Sequence, residues 1–253
     1  MNSTTVGLLT FGVTFGAALM AMFIGDRLPA HHLDSYSKEL VRLVMGLIAT
    51  ITALVLGLLI SSAHSSYDGQ QAELRQLSVR VYQIDRILAR FGPDATESRE
   101  LLRRIVAADI ARIWPTDGAG AAKYAPLSAQ REAEGLFDGI AGLSPKTDLQ
   151  RLGQSRALQF LASIGETQRL MVEQAQGGLS WPFLFVLVSW LTILFFGFGL
   201  FARVNVTVIV ALFVGSLSVA GAVFLILEMN QPYGGWMSIP STPLRDALTQ
   251  MGR

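Results

Sequence analysis

Twenty-one consecutive uncharged residues, Leu43 to Ala63, run without a proline straight into a polar segment that keeps the same helical period. About 20 such residues span the apolar layer of a bilayer as a helix. Beyond them Tyr67, Leu74, Leu77, Val81, Ile84 and Leu88 recur seven, three or four residues apart. Read backwards, the stripe continues through Ala63, Ile60, Leu56 and Ala53. The pattern predicts one helix from Arg42 to Phe91, roughly 70 Å long at about 1.5 Å per residue, that leaves the membrane and continues into water. A stripe that persists in this way needs a companion along its length. The segment Leu74, Leu77, Val81, Ile84 and Leu88 therefore reads as a seam between copies of the chain. Two helices hinged at Ser65-Ser66 or Gly69 are the alternative.

Composition extends the membrane reading. The chain is 51% hydrophobic and 15% charged, against about 25% charged in soluble domains. The deficit is local, since residues 64–178 hold 28 of the 39 charged side chains, 14 of each sign. With no net charge on that part, nucleic acid is not an expected partner. Cysteine is absent, which excludes disulfides and thiolate chemistry. No Lys or Arg precedes Arg27 and no cleavage site is clear, so Val6 to Gly25 reads as a retained first span. Gly12 and Gly16 in it have the small-xxx-small spacing that admits a close neighbour. Leu179 to Ala202 and Val204 to Leu227, 24 uncharged residues each, give spans three and four. Ser180-Trp181-Pro182 has the form of a helix start. Gly215, Ser216, Ser218, Ala220 and Gly221 mark a packing face on span four.

The chain thus divides into 1–63 (spans one and two), 64–178 (a helical extramembrane domain), 179–229 (spans three and four) and a tail, 230–253. In the domain, Gly92-Pro93 ends the long helix. A helix from Thr96 to about Trp114 follows, with Leu101, Leu102, Ile105, Val106, Ile110 and Ile113 in its apolar stripe. Another runs from about Ser128 to Leu143. A third, from Pro145 and Asp148 to about Gln176, has Leu149, Leu152, Leu158, Leu161, Ile164 and Leu170 facing inward. No stretch alternates with period two. The fold class is an all-α integral membrane protein, and the tail is expected on the membrane surface or on the polar domain.

Four spans put both termini and the domain on one side of the bilayer. Basic residues near the span ends are equally many on the two sides and leave the orientation open. No nucleophile–base pair, Walker loop or dinucleotide fingerprint is present, so an enzyme is not expected and no cofactor is implied. His31, His32 and Asp34 read as a hydrated loop rather than a metal site, because no further ligand is near in sequence. Glu228 and Asp26, at span ends, read as interfacial and solvated. The informative polar residues lie on span two. Thr50, Leu54, Gly57, Ser61, His64, Ser65 and Asp68 recur on one helix face, and small hydroxyls followed by an acid suit a water-filled path. Leu54 and Leu58 would give it an apolar constriction. The alternative is that the hydroxyls bond their own helix and the glycine packs against a neighbour.

Several runs then point one way. They are Leu54-Val-Leu-Gly57-Leu-Leu-Ile-Ser61-Ser-Ala-His64-Ser-Ser-Tyr67-Asp68, Glu73-Leu-Arg75-Gln-Leu77, Ile113-Trp114-Pro115, Phe224-Leu-Ile-Leu-Glu228 and Pro243-Leu-Arg245-Asp246-Ala247-Leu248. Over nearly its full length the chain resembles the bacterial bestrophin-like family. In its second helix and span order it resembles, more distantly, the bestrophin ion channels. The aromatic neck, tandem tryptophans and acidic calcium clasp of animal bestrophins have no counterpart. The resemblance implies a homo-oligomer in a bacterial plasma membrane, most simply a pentamer, with its helical domain in the cytoplasm. Second helices would line an axial path for small ions, with the lipid bilayer as the other partner. A non-conducting scaffold or sensor that binds a partner through the helical domain is the competing expectation.

Overall fold

The computed structural model describes residues 2–25, 35–114, 126–176 and 181–251, side chains at 35–38, 126–130 and 172–176 excepted. The helices are α1 (Ser3–Gly25), α2 (Ser35–Ala89), α3 (Thr96–Ile113), α4 (Pro126–Ala141), α5 (Asp148–Gln176), α6 (Trp181–Leu200), α7 (Val206–Met229) and α8 (Thr242–Gln250). The described residues contain no strand. α2 is helical throughout, so neither the serines nor Gly69 interrupts it. α1, α2, α6 and α7 each contain a stretch long and apolar enough to cross a membrane. The chain forms two compact units, Met1–Ser66 with Gly178–Asn230, and Tyr67–Gly177 with Gln231–Arg253.

In the first unit α1 packs closely on both α6 and α7. Its buried face is a run of small residues three or four apart: Ser3, Gly7, Thr10, Thr14, Ala18 and Ala21. In hydrocarbon there is no hydrophobic gain from helix pairing, so close backbone approach supplies the packing energy. A Cβ at Gly199 would lie 2.1 Å from the Ala18 carbonyl oxygen, and one at Gly25 would lie 2.6 Å from that of Leu200. The expected motif lies on another face, for nothing among the described residues comes within 4 Å of a Cβ at Gly12 or Gly16. The face expected on α7 divides similarly. Ser216 and Ala220 are buried, whereas a Cβ at Gly221 would meet nothing. Thr10 and Thr14 hydroxyls donate to carbonyls one turn back, at 2.9 and 2.8 Å, which satisfies them without a partner helix.

The second unit is built on the polar half of α2. Leu74, Leu77, Val81, Ile84 and Leu88 are buried together with Leu102, Val106 and Ile110 of α3, Leu136 and Ile140 of α4, and Ala157 and Ile164 of α5. These five are the residues expected as a seam between copies. At 0 to 8% exposure within a single chain, they have almost no surface left for another subunit. The stripe is the core of this unit. Period alone shows that a face is covered and does not say which chain covers it. Each of the fully enclosed Ile84 and Leu88 contributes about 1.5–3 kcal/mol by burial.

In α5, Ile164 is buried and Leu158 and Leu161 pack on the core as expected, whereas Leu149, Leu152 and Leu170 depart from expectation. Leu149 and Leu152 are 63% and 64% exposed. The face turned to α2 passes through Gly153, where a Cβ would sit 3.1 Å from Ile87, and the buried Ala157. Small residues let the start of the helix approach closely, and Leu149 and Leu152 are turned outward. Asp85, itself enclosed, accepts two bonds from Arg99, at 2.8 Å from Nε and 3.1 Å from Nη2, and these fix α3 against α2. The tail joins the same unit. α8 packs on α3, and Trp114 Nε1 donates to the Ile239 carbonyl at 2.8 Å.

Candidate functional site

The membrane part of α2 has two unlike faces. Met45, Thr52 and Ala63 are buried and Val55, Leu56 and Leu59 half-buried. Val55, Leu56 and Leu59 pack on Val6, Leu184, Leu187, Leu191 and Val223 of the other three spans. Met45 sits against Gly197, where any Cβ would collide with its side chain. Among the described residues, the opposite face is exposed. At 3.6 residues per turn, Thr50, Leu54, Gly57, Leu58, Ser61, His64, Ser65 and Asp68 fall within roughly a third of the circumference. All eight are exposed, with Leu54 at 65% and Leu58 at 63%. Only 11% of the most apolar window of α2 is buried, against 28 to 39% for the other spans. A helix this bare in the membrane is covered either by lipid or by other copies of itself.

The chemistry of the bare face changes along its length. Leu43 and Leu47, both exposed, share it with Leu54 and Leu58 and were not singled out by sequence. From Ser61 onward it carries Ser65 and Asp68. Apolar side chains around a narrow path oppose water, and hydroxyls and a carboxylate favour it. Thr50 donates to the Gly46 carbonyl at 2.9 Å, so its hydroxyl serves its own helix while its exposed edge remains on this face. Gly57 has open space beside it. Among the described residues, no other helix of the chain packs against it.

His31, His32, Asp34 and Asp26 lie outside the described residues. Among the described residues no three His, Asp or Glu side chains gather as a metal set would. Glu228, expected to be solvated, has no exposed surface and accepts a hydrogen bond from the Ser3 hydroxyl. Its burial follows from α1 and α7 running antiparallel, which sets the start of one beside the end of the other. Among the described residues, four enclosed oxygens meet no hydrogen-bond partner: Thr52 Oγ1, Ser216 Oγ, Gln70 Oε1 and Glu73 Oε2. None is on the bare face of α2.

Comparison with known proteins gives a family by sequence and a shared fold by structure. The Bestrophin-like domain profile matches residues 12–244. A search of curated proteins gave no match. Among solved structures, a bacterial bestrophin homologue from Klebsiella pneumoniae phased on zinc superposes with a TM-score of 0.67 at 15% identity, covering 97% of this chain and 98% of its own. A point variant of a homologue from that organism gives 0.68 at 14%, covering 97% and 99%. A further membrane-protein crystal structure gives 0.65 at 16%, covering 97% and 98%. At these identities the likeness is one of fold.

Proposed function

We propose, from the premise that this chain belongs to the Bestrophin-like family, that it is a membrane ion-channel protein whose copies assemble around α2. In this reading the bare face of α2 lines an axial path for small ions. Leu54 and Leu58 form the narrow apolar section, Thr50, Gly57 and Ser61 break it, and His64, Ser65 and Asp68 stand toward its polar mouth. Five copies, a bacterial plasma membrane and a cytoplasmic helical unit belong to the same proposal.

The observation that carries it is the segregation of α2. Eight residues picked for a water path all avoid the chain's own bundle, while the reverse face is packed on three other helices. Flux from liposomes loaded with a permeant salt tests the reading. Leu54→Ala is expected to widen the narrow section and raise the leak. Asp68→Arg is expected to shift the balance of anion over cation passage toward anions. A leak unchanged by both variants would sink it.

A non-conducting scaffold is the second reading. It is favoured by Leu149 and Leu152, which stand exposed on α5 where a partner protein can cover them. It predicts no salt flux from the purified oligomer.

A further inference from the structure

α6 and α7 are joined by the turn at 201–205, and Asn205 Oδ1 caps α7 by accepting from the Thr207 backbone N–H at 3.2 Å. α1 packs strongly on both helices, and they touch each other little. The separation leaves a groove of about 370 Å³, at the lower end of the roughly 300–1,000 Å³ of ligand pockets. Phe195, Phe198, Val208, Ala211, Leu212 and Gly215 line it. Phe195 and Leu212 rest on Ala18 and Met22 of α1. Thr207 is the one polar residue of the lining and stands at the end nearest the turn.

Two facts decide what such a groove takes. It lies between membrane spans and offers almost no hydrogen bonds, so water is a poor occupant and a hydrocarbon chain a good one. Moving that chain from lipid into the groove brings little hydrophobic gain, so preference among lipids must come from the headgroup. Arg203 is the only basic residue between Trp181 and Met229. It is exposed and lies four positions before Thr207. The amino end of α7 adds partial positive charge there. The acid of the same stretch, Glu228, is at the far end of α7. Within α6, α7 and the turn that joins them, the charged side chain at this end is therefore Arg203.

We infer that this groove binds one acyl chain of an anionic glycerophospholipid whose phosphate is held at Arg203. The site is separate from the bare face of α2, and the inference does not depend on conduction.

Native mass spectrometry of the full chain tests it, with equal dioleoylphosphatidylglycerol and dioleoylphosphatidylcholine added to the detergent-purified protein. The wild type is expected to retain the glycerol lipid over the choline lipid by roughly two- to fivefold. Arg203→Gln, on an exposed turn, is expected to remove the preference and keep some binding of both. Ala211→Trp, which fills the groove from one side, is expected to reduce binding of both. Circular dichroism checks its fold, and Val208→Phe serves in its place if it unfolds. Inorganic phosphate alone is expected to leave the melting temperature unchanged. Equal retention of the two lipids by the wild type would overturn the inference. So would unchanged retention in Ala211→Trp, or stabilisation by free phosphate equal to that by the lipid. A change of subunit number in Ala211→Trp with lipid retention intact would name a second copy as the occupant, and would overturn it too.

Discussion

Glu228, wholly enclosed near the end of α7, accepts a hydrogen bond from the hydroxyl of Ser3 in the first turn of α1. The two helices are thereby tied where they meet. Glu228→Gln keeps an acceptor for Ser3 and is expected to be mild. Glu228→Ala leaves an enclosed hydroxyl beside a void, and is expected to cost about 1–3 kcal/mol. Thermal unfolding in detergent should rank wild type and Glu228→Gln close together, with Glu228→Ala well below.

Gly199 and Gly16 make a second test, because both are glycines in membrane helices with opposite surroundings. A Cβ at Gly199 would lie 2.1 Å from backbone of α1, whereas one at Gly16 would meet nothing. Gly199→Ala must push α1 and α6 apart and is expected to cost about 1–3 kcal/mol, as overpacking does. Gly16→Ala is expected to leave stability within about 0.5 kcal/mol. The folded fraction recovered after heating reads both.

Arg99 holds the enclosed Asp85 through a two-pronged contact, which also raises the pKa of the guanidinium. Removing one partner of such a pair strands the other charge. Arg99→Met is therefore expected to destabilise by about 3–5 kcal/mol. Arg99→Lys keeps the charge, loses the fork and should fall between. Denaturant unfolding followed by helix content measures the order.

Asp109 predicts a pH dependence. Burial holds its carboxyl above the ordinary range. Arg112 pulls the other way, Glu132 adds to the rise and a hydrogen bond with Gln168 offsets part of it. The folded protein thus binds this proton more tightly than the unfolded chain does. Its contribution to stability is full below the unfolded value, about 3.9. It is lost as pH rises through the higher folded value. Asp109→Asn should flatten that decline and be the more stable protein above it. Melting temperatures of the two across the acid range check the sign.

Element positions were legible in the sequence because the bilayer imposes length. Uncharged runs of about 20 residues have few other uses, and α1, α2, α6 and α7 lie where those runs stand. What covers each face was not legible. The stripe through Leu74 and Ile84 announces burial, and only the tertiary fold shows that α3, α4 and α5 of the same chain provide it. Gly12 and Gly16 have the right spacing on the wrong face, and the close approach is made by Ala18 and Gly199. Leu149 and Leu152 lost the inward position to Gly153 and Ala157, since helix contact favoured small side chains. Glu228 looked solvated because its partner is more than 200 positions away in the chain. The eight residues grouped from the sequence on one face of α2 are all exposed, and Leu43 and Leu47, which share that face, were not picked out because they carry no polar group.

The chain has no cysteine, so a single introduced thiol reports one position without background. With Leu54→Cys or Ser61→Cys in liposomes, a charged thiol reagent added from the aqueous side should react and reduce salt flux. Phe185→Cys, exposed on α6, should leave the flux unchanged. Flux from the Leu54→Cys and Ser61→Cys proteins that the reagent does not alter would contradict an ion path along this face of α2.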